Sequence, residues 1–236
     1  MTRIVIISLI GILSIGGCSS DYAEKPTTQV DPGWMASALL FRDIEKSVVL
    51  LRAYSSEDRY LWSGSAVVTA ISPEGEAILV TAKHCVEGAA HLRVVYDYQE
   101  RDAKLLQKGS HDWAIISSSG DKLKASPRIA DLRKVPKFSR VYAAGYALKI
   151  PSITLTEGFV LGYSASEVSS NARDLRISAP IIFGNSGGGV FTPRGGVPSL
   201  IAITVAGRLV SGQFVTHMSL CVSLEDIIAE GGKLDG

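Results

Sequence analysis

Three side chains that could share one reaction stand far apart in the chain. They are His84 in "LVTAKHCV", Asp112 in "SHDWAII" and Ser186 in "FGNSGGGVF". A serine hydroxyl is a weak nucleophile at neutral pH and needs a base to take its proton. An imidazole, which titrates near neutrality, can be that base. The imidazole needs a carboxylate to fix its tautomer and to stabilise the imidazolium. The tetrahedral intermediate of acyl transfer needs N–H donors for its oxyanion. Glycines on both sides of Ser186 let the backbone curl so that the amides of Gly184 and Ser186 converge on one point. Each residue alone has a plainer reading: a strand-end histidine bonded to a carbonyl, an aspartate capping a turn, a serine in a Gly-rich hairpin. Together, in this order and each beside an apolar strand, they point to nucleophilic catalysis on Ser186.

"GNSGG" also fits Gly-x-Ser-x-Gly, the nucleophile elbow of α/β-hydrolases. That motif needs a helix after the serine, then an acid and a histidine downstream. The run Gly187-Gly188-Gly189-Val190-Phe191-Thr192-Pro193 is a poor helix start. Only His217 follows, and no Asp or Glu lies between Ser186 and His217. The elbow therefore fails on both counts. His84, His91, His111 and His217 show no ligand spacing, so neither a metal nor another cofactor is expected. The net charge is +1 with no basic cluster, which argues against nucleic acid as a partner.

The elements that must position these residues are mostly strands. "SVVLLRAY", "SGSAVVTAI", "AILVTA", "HLRVVYD", "DAKLLQK" and "WAIIS" are short, β-branched and bounded by turn residues. After a charged, proline-containing stretch from Asp121 to Lys137 come "SRVYAAGYA", "TLTEGFVLGYS", "DLRISAP", "GGVFT", "SLIAITVAG" and "FVTHMSLCV". Trp34 to Lys46 has apolar residues at helical spacing. "SLEDIIAEG" reads as a closing helix, capped by Ser223 and stopped by Gly231. Two groups of six strands predict an all-β fold of two antiparallel barrels or sandwiches with a C-terminal helix. The 236 residues, 46% of them hydrophobic, suffice for such a core. The expected divisions are 34–130 for the N-terminal helix and first barrel, and 131–236 for the second barrel and last helix.

The first 17 residues carry Arg3 and then a nearly all-apolar run from Ile4 to Ile15, too short to cross a bilayer comfortably. They read as a secretory signal. "Ile15-Gly16-Gly17-Cys18" resembles a bacterial lipobox, which implies cleavage before Cys18 and lipidation of it. Ser19, rather than an aspartate, follows the cysteine and implies sorting to the outer membrane. Residues 18–33 then form a lipidated cysteine and polar tether. The expected location is the bacterial cell envelope, lipid-anchored at the outer membrane and facing the periplasm.

Taken together, the motifs resemble those of trypsin-like, chymotrypsin-fold serine proteases over about residues 45–230. "VTAKHCV" is similar to the family's Thr-Ala-Ala-His-Cys, "HDWAII" to Asp-(Ile/Leu)-Ala-Leu-Leu, and "GNSGGGV" to Gly-(Asp/Asn)-Ser-Gly-Gly-Pro. The compact spacing, "SGSAVV", "AAGYALK", "LTEGFVLGYS" and "LCVSLEDI" place the resemblance nearest the bacterial HtrA (Deg) branch. It implies two six-stranded chymotrypsin-like barrels and polypeptide substrates. It also implies His84 as general base, Asp112 as its orienter, Ser186 as nucleophile, and the amides of Gly184 and Ser186 as the oxyanion hole. The backbone of Thr204, Val205, Ala206 and Gly207 would bind an extended substrate by strand addition.

The departures carry information too. Asn185 stands where digestive proteases have an aspartate that pairs with a freshly cut N-terminus, and no Ile-Val-Gly-Gly precedes the first barrel. Activation by N-terminal cleavage is not expected. No PDZ domain follows the protease region, so peptide sensing of that kind is not expected either. Lys83 replaces a small residue beside His84 without evident reason. Cys85 lacks the family's upstream partner, and Cys85 and Cys221 are expected as buried free thiols. The base of the primary pocket falls at Pro180, followed by Ile181. With no acid there, preference for Lys or Arg is not expected, and a small or medium apolar side chain is. The resulting expectation is a serine endopeptidase of the envelope, in protein quality control. The alternatives are a catalytically silent binding module for an extended peptide or partner, and an esterase on the same triad.

Overall fold

The computed structural model describes residues 32–165, 173–210 and 213–235. The expected signal segment, Cys18 and the tether as far as residue 31 lie outside them. Helix α1 (Pro32–Glu45) leads into strands β1 (Val48–Tyr54), β2 (Tyr60–Ile71), β3 (Glu76–Thr81), β4 (His91–Tyr96), β5 (Gln99–Lys108) and β6 (Ala114–Ser119). These close into one antiparallel barrel in the order β1-β2-β3-β6-β5-β4. After an irregular connection come β7 (Arg140–Gly145), β8 (Thr154–Ala165), β9 (Arg173–Ile177), β10 (Gly189–Arg194), β11 (Val197–Val210) and β12 (Gln213–Ser223), then helix α2 (Leu224–Ala229). The second barrel closes as β10-β11-β12-β9-β8-β7. The fold is all-β, two six-stranded antiparallel barrels with a C-terminal helix, as the strand pattern predicts.

The near-continuous apolar runs in several strands arise because both faces of those strands are covered. In β1, Val49, Leu51 and Ala53 point into the first barrel, while Val48 and Leu50 point to the seam between barrels. β3 divides likewise, Ala77 and Leu79 inward and Ile78 and Val80 to the seam. The seam gathers Trp113 from the first barrel, Phe191, Leu200 and Ile203 from the second, Leu40 and Ile44 from α1, and Leu224 and Ile227 from α2. Each such side chain, buried from water, stabilises the fold by about 1.5–3 kcal/mol. This shared layer fixes one barrel against the other, and the predicted site lies where their loops meet.

Ser223 caps α2 as the sequence predicts, its hydroxyl accepting from the Asp226 N–H at 3.0 Å. Cys85 and Cys221 are free and buried, one in the core of each barrel. Burial raises the Cys221 thiol pKa well above its ordinary value.

Candidate active site

His84 sits in a 3₁₀ turn (Lys83–Cys85) directly after β3, and Asp112 in the loop that enters β6. His84 Nδ1 lies 2.6 Å from Asp112 Oδ2, and the His84 N–H donates to Asp112 Oδ1 at 2.9 Å. One carboxylate thus holds both the ring and the backbone of the histidine. The Asp112 side chain is 13% exposed and that of His84 47%, so the carboxylate is screened while the imidazole opens to solvent. The Asp112 hydrogen bond raises the His84 pKa above its usual value. Burial pushes Asp112 upward, but the bond to His84 and its charge outweigh this and lower it.

Ser186 lies in the loop before β10. Its hydroxyl donates to the Val205 carbonyl at 3.1 Å, and among the described residues it makes no bond to His84. Asn185 N–H donates to Ile182 O, Gly187 N–H to Thr204 O, and Gly188 N–H to Asn185 O. Among the described residues, the N–H groups of Gly184 and Ser186 donate to nothing. The Phe183 carbonyl accepts from Leu148 N–H at 2.7 Å. In a trans-planar peptide this turns the Gly184 N–H the opposite way. Gly184 has φ +94°, and a Cβ there would lie 2.3 Å from Tyr146 O. Gly187 has φ +81°, and its Cβ would lie 2.1 Å from Ser65 O. Both positions demand glycine by conformation and by space.

The structure also brings in residues that sequence reasoning missed. Ser65 of β2 donates from Oγ to Gly184 O and accepts from Tyr146 N–H, both at 2.8 Å, while its own N–H donates to Ser186 O at 2.7 Å. It pins the Ser186 loop to the first barrel. Lys83 has a clear role: its ammonium donates to the carbonyls of Gly109 and Ser110, each at 3.1 Å. It ties the His84 turn to the Asp112 loop. Glu230, just past α2, accepts from Ser110 N–H (2.9 Å), Ser110 Oγ (2.8 Å) and Trp113 Nε1 (2.9 Å). His111 is buried behind Asp112, with Nδ1 2.5 Å from Glu230 Oε1. Burial would raise the Glu230 pKa, but its bonds to Ser110, His111 and Trp113 prevail and lower it. The signal for these ties was only the presence of polar residues in otherwise apolar motifs.

The expected substrate-binding residues divide. Thr204 is wholly buried; its N–H donates to Gly188 O, its carbonyl accepts from Gly187, and its hydroxyl donates to Asn185 O at 2.5 Å. It braces the Ser186 loop and has no backbone group left for a substrate. Val205, Ala206 and Gly207 continue past the last β10–β11 pair, Gly189↔Ile203; Ala206 and Gly207 pair with β12, Val205 bulges between pairs, and among the described residues no strand pairs with their other edge. The Val205 carbonyl at the start of that edge is the one that accepts from Ser186 Oγ. Ile181 packs into the core of the second barrel rather than facing a pocket, and Pro180 is half-buried, its carbonyl accepting from Thr156 Oγ1 at 2.7 Å. The Asn185 side chain is buried and makes no hydrogen bond among the described residues. A neutral amide there costs less than an unpaired carboxylate would. The described residues hold no helix long and apolar enough to cross a membrane.

Residues 64–203 match the family model of the trypsin-like peptidase domain. The chain is 33% identical over 169 residues to the serine protease Do-like HtrA of Bacillus subtilis (strain 168). That match covers 67% of this chain but 37% of the relative, so it spans well under half of that protein's length. Among solved structures, an HtrA-type protease, AlgW, with a tripeptide has TM-score 0.66 at 22% identity, over 82% of this chain and 64% of that one. A protease of M. tuberculosis in its active form has TM-score 0.69 at 14% identity, over 98% and 94%. The serine endoprotease from Yersinia pestis has TM-score 0.66 at 20% identity, over 87% and 68%. At those identities the structures speak to the fold alone. The family model, the Bacillus relative and the two barrels agree: this chain belongs to the trypsin-like peptidase domain family and is related to its HtrA members.

Proposed function

We propose that the chain is a serine endopeptidase in which Ser186 attacks the peptide carbonyl and forms an acyl-enzyme. The observation that carries this reading is the His84–Asp112 pair beside a serine whose loop leaves two amides, Gly184 and Ser186, without partners. Ser186 Oγ turns about χ1 from Val205 O to His84 Nε2 and passes its proton there. Apo hydrogen bonds of this kind often form only in the substrate complex. Asp112 keeps Nδ1 protonated so that Nε2 is free to accept. The oxyanion is stabilised by the Gly184 and Ser186 N–H groups. His84 then gives its proton to the departing amine, and water repeats the sequence on the ester. The acyl half of the substrate lies along the open edge of Val205 to Gly207.

In this reading the enzyme works in the bacterial cell envelope on polypeptides in protein quality control, tethered through a lipid on Cys18. Metabolic labelling with a palmitate analogue tests the tether: wild type incorporates label, and Cys18→Ala does not. Hydrolysis of a peptide library tests the activity. Cleavage is expected without preference for Lys or Arg and disappears in Ser186→Ala. The bond from Ser186 to Val205 rather than His84 favours a second reading, a silent module that binds an extended peptide. Tight peptide binding without cleavage by wild type would establish it.

A further inference from the structure

A cleft of about 510 Å³ opens beside Ser186, lined by Trp62, His84, Cys85, Leu148, Phe183 and Gly184 among others. Its size falls within the range of clefts that hold ligands, ~300–1,000 Å³. Among the described residues, none of Thr204 to Gly207 lines it. The walls come instead from β2, the His84 turn, the Leu148 segment and the Phe183–Gly184 peptide. The open edge of Val205 to Gly207 and this cleft are therefore two different approaches to one serine. If the acyl half of a substrate occupies the first, the chain beyond the scissile bond must leave through the second.

Ser63, Glu87 and Lys149 also line the cleft, but most of its surface is apolar, which suits an apolar occupant. Trp62 presents its indole with Nε1 already donating to Cys85 O at 3.1 Å, so no polar group of that ring awaits a ligand. The Cys85 thiol is also engaged, 3.6 Å from Ser186 O. Phe183 and Leu148 are 69% and 57% exposed at its mouth. Large apolar side chains left open beside a reactive group mark a contact surface. Leu148 and Lys149 both hold positive φ, +54° and +63°. Non-glycine residues rarely adopt this conformation, which costs about 1 kcal/mol or more at each and persists only where surrounding contacts impose it. Here the Leu148 N–H is held to Phe183 O. Lys149 Nζ sits 5.2 Å from the Tyr60 ring centre, an attraction that ties this segment to β2 across the cleft.

We propose that this cleft is a specificity subsite for the leaving-group side of the substrate and takes a large apolar or aromatic residue immediately after the scissile bond. It rests on the peptidase reading above. It makes selection depend on the residue after the cut, where the Pro180–Ile181 stretch supplies no open pocket of its own.

Partition of the acyl-enzyme tests this separately from peptide cleavage. An N-acyl apolar amino-acid ester acylates Ser186, and added amines compete with water for the ester. The amine nitrogen attacks the carbonyl carbon, the C–N bond forms and the C–Oγ bond breaks. His84 takes the proton from nitrogen and returns it to Ser186 Oγ. By microscopic reversibility the amine occupies the leaving-group subsite. Phenylalaninamide and leucinamide are expected to capture the acyl group at least about tenfold better than glycinamide, the scale set by apolar pocket contacts. Leu148→Asn, which suits the left-handed backbone, and Phe183→Ser, at an exposed position, are expected to cut that ratio severalfold. An acyl-enzyme that partitions equally among the three amides overturns the subsite while leaving the peptidase reading intact. Failure to form any acyl-enzyme overturns both.

Discussion

At the scale of single residues, Asp112 sets how His84 can act, through the hydrogen bond to Nδ1. A general base must be neutral to act. The Asp112 hydrogen bond raises the imidazole pKa above its ordinary 6.5, so acylation is expected to rise with pH through a midpoint above that value. Asp112→Asn should lower kcat by about 10⁴-fold, the loss seen where the tautomer is no longer fixed. It should also move that midpoint toward acid. A pH–rate profile of both proteins checks each part. The same shift has a stability sign. Because the folded pKa is raised, the pair stabilises the fold below about pH 6.5 and that contribution is lost as pH rises through the folded value. The pairing of His84 with Asp112 was legible in the sequence because chemistry restricts their types and neighbours. Lys83 was not, because its reason is two carbonyls some two dozen residues away.

At the scale of elements, strand periodicity was a good guide because most strands here are bounded by glycine, proline or charged turns. What it could not show was which edges stay open. Thr204 and Val205 are neighbours in one apolar strand. Yet a bulge between Thr204 and Ala206 leaves Thr204 locked to the Ser186 loop and the next residues beside the site. Helix α2 gives a second example. Its sequence predicts a cap and a stop, but not that Glu230 reaches Ser110, 120 residues earlier. Glu230→Ala leaves the Trp113 indole N–H and the Ser110 amide without their partner. Bonds to a carboxylate are worth about 1.5–3 kcal/mol each. The variant should lose about 2–3 kcal/mol in urea unfolding, and Glu230→Gln, which keeps an acceptor, should recover part of it. An unchanged midpoint for Glu230→Ala would remove α2 as a brace for the Asp112 loop.

At the scale of the whole molecule, two barrels share an apolar seam and the site forms where their loops cross it. Ser65 of the first barrel bonds to the backbone of Gly184 and Ser186 in the second, so neither half holds the site alone. The cysteines follow the same division, Cys85 in one barrel core and Cys221 in the other. No bridge can join them without dismantling a core. Thiol titration should therefore find both free after unfolding in the absence of reductant, and neither reactive in the folded protein.

The proposed mechanism requires Ser186 to be an activated nucleophile. A fluorophosphonate, which reacts with a serine only when a base and an oxyanion site are assembled, reads this out. Mass spectrometry of the labelled chain should place one adduct on Ser186, absent in Ser186→Ala and much slowed in Asp112→Asn. Folded wild-type protein that takes up no label, or carries it on another residue, would rule out Ser186 as the nucleophile.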